Sequence, residues 1–246
     1  MVEKKGFNLI MKKNVCTMVV VAFLVTALNA QADLVRLNDG SFTPNATAIT
    51  FSEFPLNTQN PSYTIGSQIV DFGGYFLGGL GTPTIGATLA LDPLSSTTSI
   101  VNDYSNPTSP VLSGTPQFNG PVAVWFCEDV AAVGLDGGYF NAIGGTTIAA
   151  YDREGNLLGS VTNSIIGIEF FGLGDSSGDA VIAGIQFYIT GNEPAGYAID
   201  NLTFAYDRGG YNPEPVSTVP EPSTLLLLSG GLFGLVTVAR RRMAKE

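Results

Sequence analysis

The chain has 246 residues, a net charge of −10 and no histidine. The charge is segregated: residues 33–219 hold only Arg36, Arg153 and Arg208 against 18 acids, a net charge of −15, and all other basic residues sit in the two terminal stretches. A body this acidic repels phosphate backbones, which argues against nucleic-acid partners, and the lack of histidine removes the commonest general base and a principal zinc ligand.

At the N-terminus, Lys12 and Lys13 precede an apolar stretch over 15–28. Ala30-Gln31-Ala32 then places small residues at the two positions a signal peptidase reads. The pattern predicts a Sec-type signal peptide over 1–32, cleaved after Ala32, with the Sec machinery and signal peptidase as partners. A retained membrane anchor is the alternative, and the short apolar core disfavours it. Either Met1 or Met11 can serve as the start. Cys16 would leave with the peptide, and Cys127 would then have no disulfide partner. It lies in the apolar run "VAVWFC" and reads as a small buried hydrophobe, with no histidine to activate it.

Residues 33–206 are broken by glycine, proline, serine, threonine and asparagine into short segments rich in β-branched and aromatic residues. Strands are expected near 34–37, 48–53, 68–77, 87–91, 122–127, 132–135, 146–151, 157–162, 167–171, 180–190 and 197–206. The expected fold is all-β, an antiparallel β-sandwich of jelly-roll type, with helix only in the signal peptide and in a single C-terminal transmembrane segment. The clearest local unit is "TTIAAYDREGNLLGSV": Asp152, Gly155 and Asn156 are turn residues, so Tyr151 should end one strand and Leu157 begin the next. A second pair of runs spans 180–190 and 197–206. Residues 93–121 read as a long loop with one or two weak strands. No internal repeat is evident.

Several residues invite chemistry. "GDSSGD" at 174–179 is faintly similar to the serine-protease "GDSGG", but departs from it at the fourth residue and lacks a triad base, so it reads as a turn. Glu53, Glu128, Asp129, Glu169 and Asp200 are carboxylates of the type a glycosidase pairs across a bond, yet nothing in their spacing brings two together. "FSEF" and "AIDNLTF" resemble the first and last strands of secreted jelly-roll modules, some of them carbohydrate-binding. That resemblance implies that Glu53 and Asp200 share a structural Ca²⁺, the one cofactor the chain suggests. Asp200-Asn201 capping a turn is the alternative. Trp125 and Tyr139 are candidate sugar-stacking platforms, and Trp125, lying in an apolar strand, reads better as core.

Residues 207–218 form a Pro/Gly-rich linker, and 207–223 together contain four prolines, at 213, 215, 220 and 222. Seventeen uncharged positions, 223–239, follow. That is the short end of what crosses a bilayer as a helix, about 17–25 residues. Arg240, Arg241 and Arg242 come next and would stay cytoplasmic, leaving residues 33–218 outside. The order Val219-Pro220-Glu221-Pro222-Ser223, apolar run, basic cluster over 219–246 resembles the PEP-CTERM sorting signal of Gram-negative bacteria. The resemblance implies export, a transient inner-membrane intermediate, processing near Pro-Glu-Pro by an exosortase, and delivery to the cell surface or the extracellular matrix. A permanent single-pass anchor is the alternative. The resulting expectation is a non-enzymatic, exosortase-sorted surface protein associated with extracellular polysaccharide. A calcium-dependent carbohydrate-binding module and a polysaccharide-acting envelope enzyme are the competing readings.

Overall fold

The computed structural model describes residues 33–78, 82–103 and 110–213. The expected signal peptide and sorting segment, with Ala30, Ala32, residues 219–223 and Arg240–Arg242, lie outside the described residues, and among these no helix is long and apolar enough to cross a membrane. In chain order the strands are β1 (Leu34–Leu37), β2 (Thr47–Ile49), β3 (Ser62–Ile65), β4 (Gln68–Gly73), β5 (Thr98–Val101), β6 (Val111–Gly114) and β7 (Val122–Val130). They continue with β8 (Ala132–Phe140), β9 (Thr146–Tyr151), β10 (Leu157–Thr162), β11 (Gly167–Asp175), β12 (Ile182–Ile189) and β13 (Ala198–Ala205). The described residues form an all-β fold, with a 3-10 turn at Asp39–Ser41.

Two antiparallel sheets carry these strands. One runs β1-β11-β8-β13-β6-β5, with β2 also pairing β13; the other runs β10-β9-β12-β7-β4-β3. Rings from both sheets interlock between them. Phe140 of β8 and Phe171 of β11 meet Phe187 of β12 edge to face, at centroid distances of 6.4 and 5.9 Å. Phe126 of β7 packs on Phe204 of β13 at 5.4 Å. Such contacts add about 0.5–1.5 kcal/mol each beyond burial of the rings. At one edge β1 and β10 close the gap: Leu34 packs over Gly159, and Arg36 donates to the Thr162 carbonyl at 2.6 Å.

Both outer faces carry a further apolar layer. Residues 74–78 and 82–96 fold back over the six-stranded sheet, where Phe76 and Leu89 cover Ala123, Ala149, Tyr151 and Ala183. This explains why all six residues of β9 are buried: one face fills the core and the other lies under this flap. On the seven-stranded sheet, Leu37, Ala131, Ala132, Ala205 and Tyr211 form the second layer.

The β9–β10 hairpin forms as its turn chemistry predicts. Tyr151 faces Leu157, the Asp152 carboxylate accepts the N–H groups of Glu154 and Asn156 at 3.0 and 2.7 Å, and Gly155 takes the φ of +75° the turn requires. Other expectations need correction. The runs at 180–190 and 197–206 are strands but not partners: β12 pairs β7 and β9, whereas β13 pairs β8, β2 and β6, so the 190–197 connection passes from one sheet to the other. The run at 48–53 stops at Ile49 because Phe51 turns into the left-handed region at φ 58°. The run at 87–91 is flap rather than strand, tied to Phe76 by a single bridge at Leu91. Strands β7, β8 and β11 extend beyond their expected ends, the last two through glycines that neighbouring strands hold in register.

Candidate functional site

The two poles of the sandwich are built differently. At one pole both ends of the described chain are fastened to the β11–β12 turn. The N–H of Ser176 donates to the Asp33 carbonyl at 2.8 Å. Within "GDSSGD" the buried Asp175 carboxylate accepts the N–H groups of Ser177, Gly178 and Asp179 at 2.9, 3.0 and 3.1 Å, so this segment is a self-capped turn. The Tyr211 hydroxyl donates to the Asp175 carbonyl, and the Asn212 N–H donates to Ser41 at 2.7 Å. Burial pushes the Tyr211 pKa up to about 12, with Arg208 opposing and Asp175 reinforcing the rise. Tyr211 falls inside the stretch read as linker, yet it is almost fully buried.

At the opposite pole, side chains rather than strands hold the loops. Asn163 accepts from the Thr146 N–H at 3.0 Å and donates to the carbonyls of Ala142 and Ile165 at 2.7 and 3.0 Å. Glu193 accepts the N–H groups of Asn141 and Ala142 at 2.7 and 3.0 Å, and Asn141 in turn accepts from Ala195 at 2.8 Å. Glu169 pairs with Arg36 at 2.6 Å and accepts the N–H groups of Ser164 and Ile165 at 2.6 and 3.1 Å.

Among these loops opens a cleft of about 350 Å³, lined by Asp103, Phe118, Tyr139 and Tyr197 over a floor that includes Gly138 and Gly196. Phe118 adopts φ 62°, rare for a bulky side chain. It is pinned by its N–H on the Ser113 hydroxyl and by its carbonyl on the Tyr197 N–H, both at 2.6 Å. Gly196 has φ +73°, and a Cβ there would stand 1.8 Å from the Phe118 carbonyl oxygen, so only glycine fits. The Tyr197 hydroxyl is turned away to the carbonyls of Gly120 and Phe187, at 2.6 and 3.0 Å. Burial raises the Tyr139 pKa, and the Asp103 carboxylate beside it raises it further. A narrow extension of the cleft reaches Asp136 and Asp200, which face each other across β8 and β13. Burial raises the Asp136 pKa, although Asn201, donating to it at 2.7 Å, pulls the other way.

The remaining chemistry lies in the tail. Residues 218–242 match the family model of the PEP-CTERM protein-sorting motif. The chain carries a PEP-CTERM sorting signal. That motif implies an exported protein, anchored in a membrane before an exosortase processes it. The match covers the tail only, and no curated protein matches the chain. The PEP-CTERM motif begins at residue 218, six residues beyond Asn212, the last residue seen bonded to the sandwich.

The candidate residues within the sandwich are dispersed. Glu53 is exposed, accepts from the Thr50 N–H and hydroxyl at 3.3 and 2.9 Å, and lies near Tyr63, whose pKa is raised by burial first and by Glu53 second. Asp200 is buried on β13 and accepts the N–H of Asn201 at 2.7 Å. Among the described residues, no three His, Cys, Asp or Glu side chains gather to hold a metal ion. Glu169 is committed to Arg36 and its own loop, and Asp129 pairs with Arg153. Trp125 lies under the flap, with its ring N–H on the Leu89 carbonyl at 3.0 Å and the Arg153 guanidinium 5.5 Å above it. Of the two aromatic platforms read from the sequence, only Tyr139 lines the cleft. Asp103, Phe118 and Tyr197 were not singled out. The isolated Gly196 before Tyr197 was the one local signal available, because a tight backbone approach needs a glycine.

Proposed function

We propose that this is a non-enzymatic surface or extracellular-matrix protein whose β-sandwich, of jelly-roll type, associates with extracellular polysaccharide once an exosortase has cut the chain near Pro220-Glu221-Pro222. The observation that carries this reading is the PEP-CTERM motif at 218–242 following a sandwich fastened through Asn212. Two Pro-Glu-Pro tripeptides, at 213–215 and 220–222, lie in the sequence between Asn212 and the uncharged run, and prolines disfavour regular helix or strand, which suits recognition by a processing enzyme. The acidic body keeps the protein soluble once released.

Replacing Pro220, Glu221 and Pro222 together with alanine tests the reading. The variant is expected to accumulate in the inner membrane while the parent reaches the surface or the medium. Identical distributions of the two would overturn exosortase-dependent sorting. A calcium-dependent form of the same role needs Glu53 and Asp200 in one coordination shell. A melting temperature raised by Ca²⁺ and lowered by a chelator, and lost in Asp200→Asn, would favour it; indifference to both would remove it.

A further inference from the structure

We propose that the open pole of the sandwich, through Ile143, Ile165 and Ile166, docks on the same pole of a second copy of this chain and forms a weak symmetric dimer. Three loops build the surface, at residues 141–145, 163–166 and 190–196. The Asn163 amide donates to the carbonyls of Ala142 and Ile165 at 2.7 and 3.0 Å, and the Asn163 carbonyl accepts the Gly144 N–H at 2.9 Å, which joins the first two loops. The N–H groups of Thr190 and Gly191 donate to the Gly145 carbonyl at 2.8 and 2.9 Å and join the third. Side chains on loops fixed in this way lose little freedom on docking. Ile143, Ile165 and Ile166 are 68, 50 and 63 % exposed, and Ile168, at the start of β11, is 43 % exposed. Together these four expose on the order of 400 Å² of apolar surface, the size at which a patch on a monomer often marks an interaction site.

Charge decides what covers the patch. The described part of residues 33–219 is strongly acidic, yet the three loops hold one ionisable side chain among them, Glu193. Glu193 is buried and accepts the N–H groups of Asn141 and Ala142, and Glu169, just beyond the second loop, is buried against Arg36. The apolar patch is thus a neutral island on a body of net charge −15. A basic partner would be steered to the acidic flanks rather than to this pole, and an anionic lipid surface would be repelled by the body. Aliphatic side chains offer a sugar no aromatic face to stack on. The partner that must avoid the flanks and can accept a neutral apolar pole is one with the same charge distribution, and a two-fold dimer supplies it with one self-complementary patch. The acids of the closed pole do not oppose the contact. β11 spans nine residues from Gly167 to Asp175, roughly 27 Å, which is about three Debye lengths at physiological salt. The patch is about half of the ~800 Å² that each partner buries in a standard stable complex, so the dimer is weak and concentration-dependent.

The test is disulfide trapping of the full chain in the producing cells, with Cys16 and Cys127 replaced by serine so that each variant holds one thiol. Asn192→Cys places it on the third loop of the open pole, and Asn45→Cys places it on the turn whose amide donates to the Gly209 carbonyl at the closed pole; both positions are exposed. On mild oxidation, Asn192→Cys is expected to give a homodimer on a non-reducing gel, with a yield that rises with expression level, and Asn45→Cys to give little. Adding Ile143→Ser and Ile166→Ser should cut the Asn192→Cys yield at least about tenfold, because full burial of one such side chain is worth that much. The melting temperature of each variant reports an intact fold. No homodimer at Asn192→Cys, equal trapping at both poles, or a yield indifferent to the two serines overturns the proposal. An adduct with a different protein, identified by mass, also overturns it and assigns the pole to that partner. The sorting reading fails separately: it is judged by where the chain is found and where it ends, and trapping at the open pole is scored whether or not the tail has been cut.

Discussion

One pole of the sandwich is closed by backbone and a buried ring, whereas the other is held open by polar side chains. At the closed pole Tyr211 fills the space over Leu37 and Ala205, and its hydroxyl reaches the Asp175 carbonyl. At the open pole Asn163, Glu193 and Glu169 clamp three loops, and isoleucines stand in solvent. Burial gives stability in proportion to apolar area removed from water, while a carboxylate that caps loop N–H groups fixes shape at little net gain. The difference suggests that the first pole holds the fold together where the chain enters and leaves it, and the second presents a surface.

Breaking the closed pole should cost most. Tyr211→Ala removes a buried ring and orphans the Asp175 carbonyl, so denaturant unfolding should show a loss of about 3–5 kcal/mol. Next comes Glu169→Ala, which strands Arg36 and two loop N–H groups; a loss of about 2 kcal/mol is expected, moderated because Arg36 keeps some solvent. Asp136→Asn should act in the opposite direction. It relieves two acids facing each other across β8 and β13 while leaving an oxygen for Asn201, and a gain of about 0.2–1 kcal/mol at neutral pH is expected. Ile166→Ser at the open pole should change stability by less than about 0.5 kcal/mol. A Tyr211→Ala protein as stable as the parent would erase the contrast between the poles.

The pH dependence sharpens the same comparison. Tyr211 and Tyr151 have folded pKa values raised to about 12 from 10.0, both chiefly by burial. The folded state thus holds these protons more tightly than the unfolded chain. Their contribution to stability is fully present below pH 10 and is lost as pH rises towards 12. Alkaline unfolding should begin in that window, and Tyr211→Phe should reduce its steepness.

Legibility followed locality. The β9–β10 hairpin was readable because Asp152, Gly155 and Asn156 act within five residues, and the tail was readable because order and spacing alone define it. Partners distant in sequence were not. Consecutive apolar runs at β12 and β13 look like a hairpin, and only packing between sheets shows that they part company. Phe76 and Leu89 carry the alternation of strands but serve as a flap, because what they cover lies at Ala123, Ala149 and Ala183. The cleft was the least legible feature. Asp103, Phe118, Tyr139 and Tyr197 come from four separate segments, and only Tyr139 stood out as an aromatic residue.

A processed sorting signal and an exported sandwich leave distinct masses in different cell fractions. The decisive measurement is the intact mass of the protein taken from inner membrane, cell surface and medium. A surface or released species beginning at Asp33 and ending near residues 220–223 is expected. A species that keeps Arg240, Arg241 and Arg242, confined to the inner membrane with none released, would contradict it.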